Sequence, residues 1–223
     1  MPTSMGSFDI IGPIMVGPSS SHTAGAVRLG KIARLLLGEQ PRHVRILLHG
    51  SFRETYRGHG TDLALLAGLL GLNTDDIRIR KADQLAQDQG LEYIIEPVVL
   101  GAVHPNTVKL ILSGQDGYHL EMVGSSLGGG NIVVTEINGF AVEIYGKYDT
   151  LVIVHQDQPG VIAQVTNVLA QYGINVANMR VARKNKGKQA SMMIEIDQHV
   201  QAKVIKEIEE LSTINSVRFV GKV

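Results

Sequence analysis

Cysteine is absent from this chain of 223 residues. That excludes disulfides, thiol catalysis and any iron–sulfur centre held by thiolates of this chain alone. Neither sign of charge is in excess, since 21 Lys and Arg face 21 Asp and Glu. A balanced chain carries no signature of nucleic acid, an anionic membrane or a polyanionic substrate. No apolar run approaches the length of a membrane span, and the N-terminus shows no basic region followed by an apolar core. The expectation is therefore a soluble, cytoplasmic protein without nucleic-acid or membrane partners. Dinucleotide and phosphate-loop fingerprints are missing as well. The eight histidines form no i, i+3 or i+4 pair with one another, so no metal site is expected in this chain.

What is present begins with Gly17-Pro18-Ser19-Ser20-Ser21-His22-Thr23-Ala24-Gly25. Pro18 ends whatever precedes it, the hydroxyl residues are good helix caps, and Leu29, Ile32, Ala33 and Leu36 then recur at helical spacing. Hydroxyls and an imidazole at a helix start make an anion pocket, although an ordinary capped helix with a solvated serine run would carry the same residues. The small residues Ala24, Gly25, Ala26 and Gly30 would let this helix approach a neighbouring backbone closely.

The length predicts one large or two small domains with real cores. Val44–Leu48 reads as a strand, Gly50-Ser51-Phe52 as a loop and Glu54–Arg57 as a short turn. Gly58-His59-Gly60-Thr61-Asp62 then opens a helix carrying Leu63, Leu66, Ala67 and Leu70, which places His59 at a helix N-terminus. His59 in that position is either a ligand-facing imidazole or an exposed histidine beside a cap. Asp75–Gly90 is polar and reads as a surface helix or loop. From Tyr93 the period switches to two, giving strands near Ile94–Glu96, Thr107–Leu112, His119–Val123, Ile132–Glu136 and Ala141–Ile144. His104-Pro105-Asn106 precedes the second of these, and the proline pushes His104 toward extended backbone at the sheet end. Gly114–Gly117 and Asn138-Gly139 read as hairpin turns. Gly124–Gly130 reads as a loop that either cups an anion or connects strands.

Gly146–Thr150 is the expected linker, dividing the chain at 1–147 and 148–223. Beyond it come Leu151–His155 as a strand and the Asp157-Gln158-Pro159-Gly160 turn. A helix follows with Ile162, Val165, Val168 and Leu169 inward, stopped by Gly173. A hairpin of Ile174–Arg183 with Gln189–Ile196, a helix bearing Val204, Ile205, Ile208 and Leu211, and a strand at Val217–Val220 complete a βαββαβ order.

Four ordered motifs carry a family resemblance that covers nearly the whole chain. They are Phe8–Pro13 with Pro18–Thr23, Gly58–Asp62, His104–Thr107 and the C-terminal βαββαβ unit. The chain resembles the β subunit of bacterial iron–sulfur L-serine dehydratases, and its last part resembles the ACT domain. The resemblance implies an α+β fold: an N-terminal α/β domain with a mixed sheet, then a ferredoxin-like ACT domain. It implies β-elimination of water from L-serine to give pyruvate and ammonia. The [4Fe–4S] cluster would be ligated by the cysteines of a partner α subunit and not by this chain. The motif positions imply His22, His59 and His104 as catalytic residues, with Ser19, Ser20, Ser21, Thr23, Asp62 and Asn106 binding substrate. The ACT resemblance implies self-association and binding of L-serine or a related amino acid near Asp157, Gly160 and Asn175; a pure dimerisation unit is the alternative. A non-catalytic, amino-acid-sensing protein is the competing function, because regulatory parts of some phosphoglycerate dehydrogenases resemble the first domain. A Ser–His hydrolase is disfavoured, since adjacent residues in one turn rarely set up nucleophile, base and orienter together.

Overall fold

The computed structural model describes residues 14–115 and 117–223. The Phe8–Pro13 opening and Asp116 of the expected Gly114–Gly117 turn lie outside the described residues.

Ser19 stands in extended backbone, and its hydroxyl accepts from the His22 amide at 3.3 Å, a side-chain cap. Ser20–Ala24 form one wide π-helical turn, which runs without a break into α1, Gly25–Leu37. Leu29, Ile32, Ala33 and Leu36 are buried along it, as their spacing predicts. Strand β1, His43–Leu48, follows.

The structure then departs from expectation. Gly50–Phe52 and Glu54–Arg57 are neither loop nor turn but parts of one helix, α2, Gly50–His59. Phe52 is its one buried residue, so α2 has no apolar stripe for periodicity to reveal. Gly60, in the left-handed region, ends α2, and α3, Thr61–Leu69, starts at once. His59 therefore closes one helix instead of opening the next, and sits at the negative end of α2.

Helices α1 and α3 touch backbone to backbone. A β-carbon on Gly30 would collide with the Leu65 carbonyl oxygen, and one on Gly68 with the Val27 carbonyl oxygen. The small residues of α1 do permit the close approach predicted for them. The polar stretch forms a 3₁₀ turn, Ile77–Lys81, and α4, Ala82–Asp88. Strand β2, Glu92–Pro97, pairs parallel with β1. β3 (Thr107–Ser113), β4 (His119–Gly128), β5 (Asn131–Ile137) and β6 (Phe140–Ile144) continue antiparallel, giving a mixed sheet ordered β2-β1-β3-β4-β5-β6. Asn138 and Gly139 both have positive φ, as a two-residue hairpin turn requires.

The expected Gly124–Gly130 loop is mostly strand, since β4 continues through Gly128. Gly124 and Ser126 are small because α1 lies on them. A β-carbon on Gly124 would sit 2.6 Å from the Leu29 Cδ2, and the Ser126 side chain occupies the space beneath Gly25.

The second unit contains β7 (Asp149–Gln156), α5 (Val161–Gln171), β8 (Val176–Arg183), β9 (Gln189–Ile196), α6 (Ala202–Glu209) and β10 (Ile214–Val220). Its antiparallel sheet is ordered β10-β7-β9-β8, the predicted ferredoxin-like arrangement. Val165, Val168 and Leu169 point into the core as expected. Ile162 does not, and is exposed on α5. From the opposite face of this sheet, Val152, Met193 and Val220 join the core of the first unit. Half-buried Arg28 of α1 donates to the Gly130 carbonyl at 2.6 Å and to the Val223 carbonyl at 2.5 Å, fastening the two parts together. Among the described residues no helix is long and apolar enough to cross a membrane.

Candidate functional site

The π-turn, the start of α2, the α2–α3 junction and the loop before β3 meet at one end of the mixed sheet. β1 ends at Leu48, so His49 and Gly50 emerge there; β3 begins there with Thr107, paired to Leu48's neighbourhood in antiparallel register. The loop before β3 seats against α2, because a β-carbon on Gly50 would lie 2.8 Å from the Pro105 Cα. The end of β4 joins them: Ser126 donates its amide to the Asn106 carbonyl at 2.9 Å, and the Ser125 and Thr107 hydroxyls are 2.7 Å apart.

His22 and His59, distant in sequence, stand with ring centroids 4.7 Å apart in an edge-on arrangement. His22 is buried, and Phe52 flanks it edge-on at 5.3 Å. Its Nδ1 faces the Ser21 hydroxyl at 3.1 Å and the Ser19 hydroxyl at 3.4 Å, while its Nε2 faces the Ser51 hydroxyl at 3.1 Å. Burial holds the His22 imidazole below its usual range; the neighbouring His59 acts in the same sense, and the Ser51 contact opposes both. A neutral imidazole donates from one nitrogen and accepts at the other, and hydroxyls can serve either role. His22 is thus locked by three serines as well as set edge-on to a second imidazole.

His59 lines a cleft of about 430 Å³ with Gly17, Pro18, Thr23, Arg57, Gly58, Leu63 and Arg80. Its Nδ1 is buried without a hydrogen-bond partner, as are the hydroxyls of Thr23 and Thr61. The Asn106 Oδ1 and the Ser126 hydroxyl are also buried and unpartnered. Such groups cost free energy unless something satisfies them, which marks this end of the sheet as a site waiting for polar atoms.

The remaining candidates are less concentrated. His104 is exposed, and its Nδ1 accepts from the Asn106 amide at 3.1 Å. It borders the same end of the sheet, but among the described residues no ring contact or hydrogen bond joins it to His22 or His59. Asp62 is half-buried in the first turn of α3, bonded to the Leu63 amide at 2.9 Å. Burial pushes its carboxyl up. Ser20 lies within the π-turn. In the second unit Asp157 accepts from the Gly187 amide at 2.9 Å and from Arg183 at 3.2 Å. Asn175 donates to Asp197 at 2.6 Å. Asp157 and Gly160 follow the last residue of β7, whereas Asn175 lies beside the end that contains Asp149. An eight-residue strand separates them, roughly 25 Å at about 3.3 Å per residue. One chain does not bring these residues together; a two-fold pairing, which reverses one copy against the other, can.

Sequence reasoning missed Ser51, Phe52, Arg57 and Arg80. The first three fall on α2, which periodicity could not detect, and Arg80 falls in a polar stretch whose only signal was its charge.

An iron–sulfur cluster does not fit this donor set. There is no thiolate, and among the described residues no three His, Asp or Glu side chains gather as a metal site.

Comparison with known proteins adds to this geometry. A family model described as "Serine dehydratase beta chain" matches residues 7–98, and one described as "ACT domain" matches residues 150–213. The chain is 48% identical over 212 residues to the "Probable L-serine dehydratase, beta chain" of Bacillus subtilis (strain 168), covering 94% of this chain and 95% of that one. It is 36% identical over 219 residues to the "L-serine dehydratase, beta chain" of Peptoniphilus asaccharolyticus, covering 98% and 99%. It is also 28% identical over 196 residues to a D-3-phosphoglycerate dehydrogenase of Bacillus subtilis (strain 168), covering 87% of this chain and 37% of that one.

Proposed function

Because the chain belongs to the L-serine dehydratase beta-chain family and carries an ACT domain, we propose that it completes the active site of a cysteine-bearing α subunit. The pair would convert L-serine to pyruvate and ammonia. The observation that carries this reading is the edge-on contact of His22 with His59, which joins two family motifs on the wall of an open cleft.

Elimination moves the α-proton of serine to a base as the Cβ–O bond breaks and hydroxide departs, and the proton taken by the base then converts that hydroxide to water. The aminoacrylate product tautomerises to an imine, and water hydrolyses the imine to pyruvate and ammonia. The α subunit would supply the Lewis acid that assists the departing hydroxyl, so no such step is assigned to this chain. His59 is the proposed proton acceptor, since its ring lines the cleft and, among the described residues, no hydrogen bond engages its solvent-facing nitrogen. His22 is a positioning residue: both its nitrogens are engaged by serine hydroxyls, and its ring holds that of His59. Ser19 and Ser21 hold His22, Thr23 faces the cleft, and Asn106 offers an unpartnered carbonyl from the β3 side. His104, Ser20 and Asp62 are assigned to the rim of the site.

The chain would divide near 147/148, just before β7 begins at Asp149. The C-terminal part would self-associate and bind L-serine or a related amino acid through Asp157 and Gly160 of one copy and Asn175 of another. Both parts would work in the cytoplasm.

The test is serine-dependent pyruvate formation. The purified chain alone should be colourless and inactive, and addition of the α subunit should give turnover. Pyruvate formed by this chain alone would overturn the subunit reading. The similarity to D-3-phosphoglycerate dehydrogenase favours a second reading, a non-catalytic amino-acid sensor. That reading expects amino-acid binding and no turnover with any α chain.

A further inference from the structure

The cleft that contains His59 is also lined by cations. Arg57, near the end of α2, and Arg80, in the 3₁₀ turn Ile77–Lys81, both line the cleft that contains His59 and Thr23. The two guanidiniums come from separate segments and are exposed. Neither has an ion pair with a carboxylate among the described residues, whereas Arg78, in the same 3₁₀ turn as Arg80, is paired with Asp76 at 2.6 Å. Arg57 lies over the Tyr56 ring at 5.5 Å, a contact that leaves its N–H donors free. Asp62, the acidic group that acts electrostatically on Arg57, is half-buried in α3 and bonded to its own helix.

A second, independent observation points to a ligand. Thr23 is only 2% exposed, lines the same cleft, and its hydroxyl has no hydrogen-bond partner. A buried hydroxyl without a partner is costly, and a bound acceptor would satisfy it. Two free guanidiniums and an unmet hydroxyl around one cavity, in a chain of zero net charge, call for an anion with several acceptor oxygens.

The geometry points to Arg57, Arg80 and Thr23 as the seat for the carboxylate of an α-amino acid, which makes them specificity-determining residues of the proposed reaction. This rests on the serine dehydratase reading, in which His59 takes the α-proton. A carboxylate held by the arginines sets the adjoining α-carbon in the same cleft as the imidazole. The arginines neither give nor take a proton, so their loss should raise half-saturation more than it lowers turnover.

The experiment is an NMR titration of the His59 ring signals in the full chain, with L-serine and with ethanolamine, which keeps the amine and hydroxyl but lacks the carboxylate. L-serine should shift these signals saturably and ethanolamine should not. Arg57→Gln and Arg80→Gln should each raise the half-saturating L-serine concentration about tenfold or more, and Arg57→Lys should recover part of the loss. Both arginines are exposed, so these variants should unfold at the wild-type denaturant concentration. With the α subunit, the same variants should show a raised KM and a largely kept kcat. Equal response to ethanolamine, unchanged titration in both Gln variants, or tighter binding of inorganic phosphate than of L-serine would each overturn the carboxylate seat. Failure of the dehydratase reading looks different: the arginine-dependent binding of L-serine would persist while no pyruvate forms with the α subunit.

Discussion

Replacing Gly30 by Ala should destabilise the protein, although Ala is the better helix former. Gly30 lies inside α1, where helix propensity alone predicts a gain of about 1 kcal/mol. The structure opposes that gain. A β-carbon there would collide with the Leu65 carbonyl oxygen and sit 3.0 Å from the Leu69 nitrogen and 3.1 Å from the Gly68 Cα. All three are backbone atoms of α3 and its end, so no side chain can swing aside, and the two helices must part. Overpacking of this kind costs about 1–3 kcal/mol, and a rigid neighbour places the cost toward the upper end. The net expectation is a loss of about 1–2 kcal/mol, or about 2–8 °C in melting temperature for a chain of this size. Gly58→Ala supplies the internal control. Gly58 lies in α2 with no atom within 4 Å of a built β-carbon, so propensity acts alone and stability should rise by about 0.5–1 kcal/mol. Urea unfolding followed by far-UV circular dichroism reads both. The α1–α3 approach also sets the imidazole pair, because α1 continues the turn that holds His22 and α3 follows His59 directly. Gly30→Ala should therefore lose turnover with the α subunit, and Gly58→Ala should lose less. A Gly30→Ala protein as stable as wild type would refute the backbone-contact argument.

Two further outcomes follow from the titrating and hydrogen-bonding groups. The His22 imidazole is held below its unfolded value, so the unfolded chain binds more protons than the folded one between the two pKa values. Its contribution is thus fully present above about pH 6.5 and is lost as pH falls through the folded value, with a slope of at most about 1.4 kcal/mol per pH unit. Urea midpoints should drop on acidification in the wild type and less steeply in His22→Gln; parallel profiles would remove His22 as the cause. In the ACT domain, Asn175→Ala removes the exposed contact to Asp197 and should leave the fold intact. It should weaken amino-acid binding by about 10-fold or more if Asn175 holds a charged ligand group. Calorimetry that finds no amino acid bound to the wild-type chain would favour a dimerisation unit.

The ACT half was legible from the sequence because its strands are short runs bounded by turn residues and its helices carry apolar stripes, from Val165 and Leu169 to Val204 and Ile208. The exception, Ile162, reads as core by spacing but lies one position off the buried face. The first half was legible only where burial imposed a period. Helix α2 buries Phe52 and little else, and it begins at Gly50 and is capped by Gly60, so its residues resemble a loop. That misreading moved His59 from the end of one helix to the start of another. The Gly124–Gly128 strand was hidden for the opposite reason: its small residues serve a close helix above it and not a flexible turn. The serine turn and its cap were readable because capping is local. The surroundings of His22 and His59 were not, since Ser51 reaches His22, and Arg57 and Arg80 reach the cleft, only through the tertiary fold.

The central claim is that the His22–His59 pair of this chain serves the elimination of water from L-serine. The direct measurement is steady-state pyruvate formation by the α-subunit complex with wild-type chain, His59→Gln and His22→Gln, each checked for folding by urea midpoint. Removal of the proton acceptor should lower kcat by about 10²–10⁴ with half-saturation little changed, and loss of the positioning ring should lower it less. Wild-type kcat in a folded His59→Gln complex would contradict the claim.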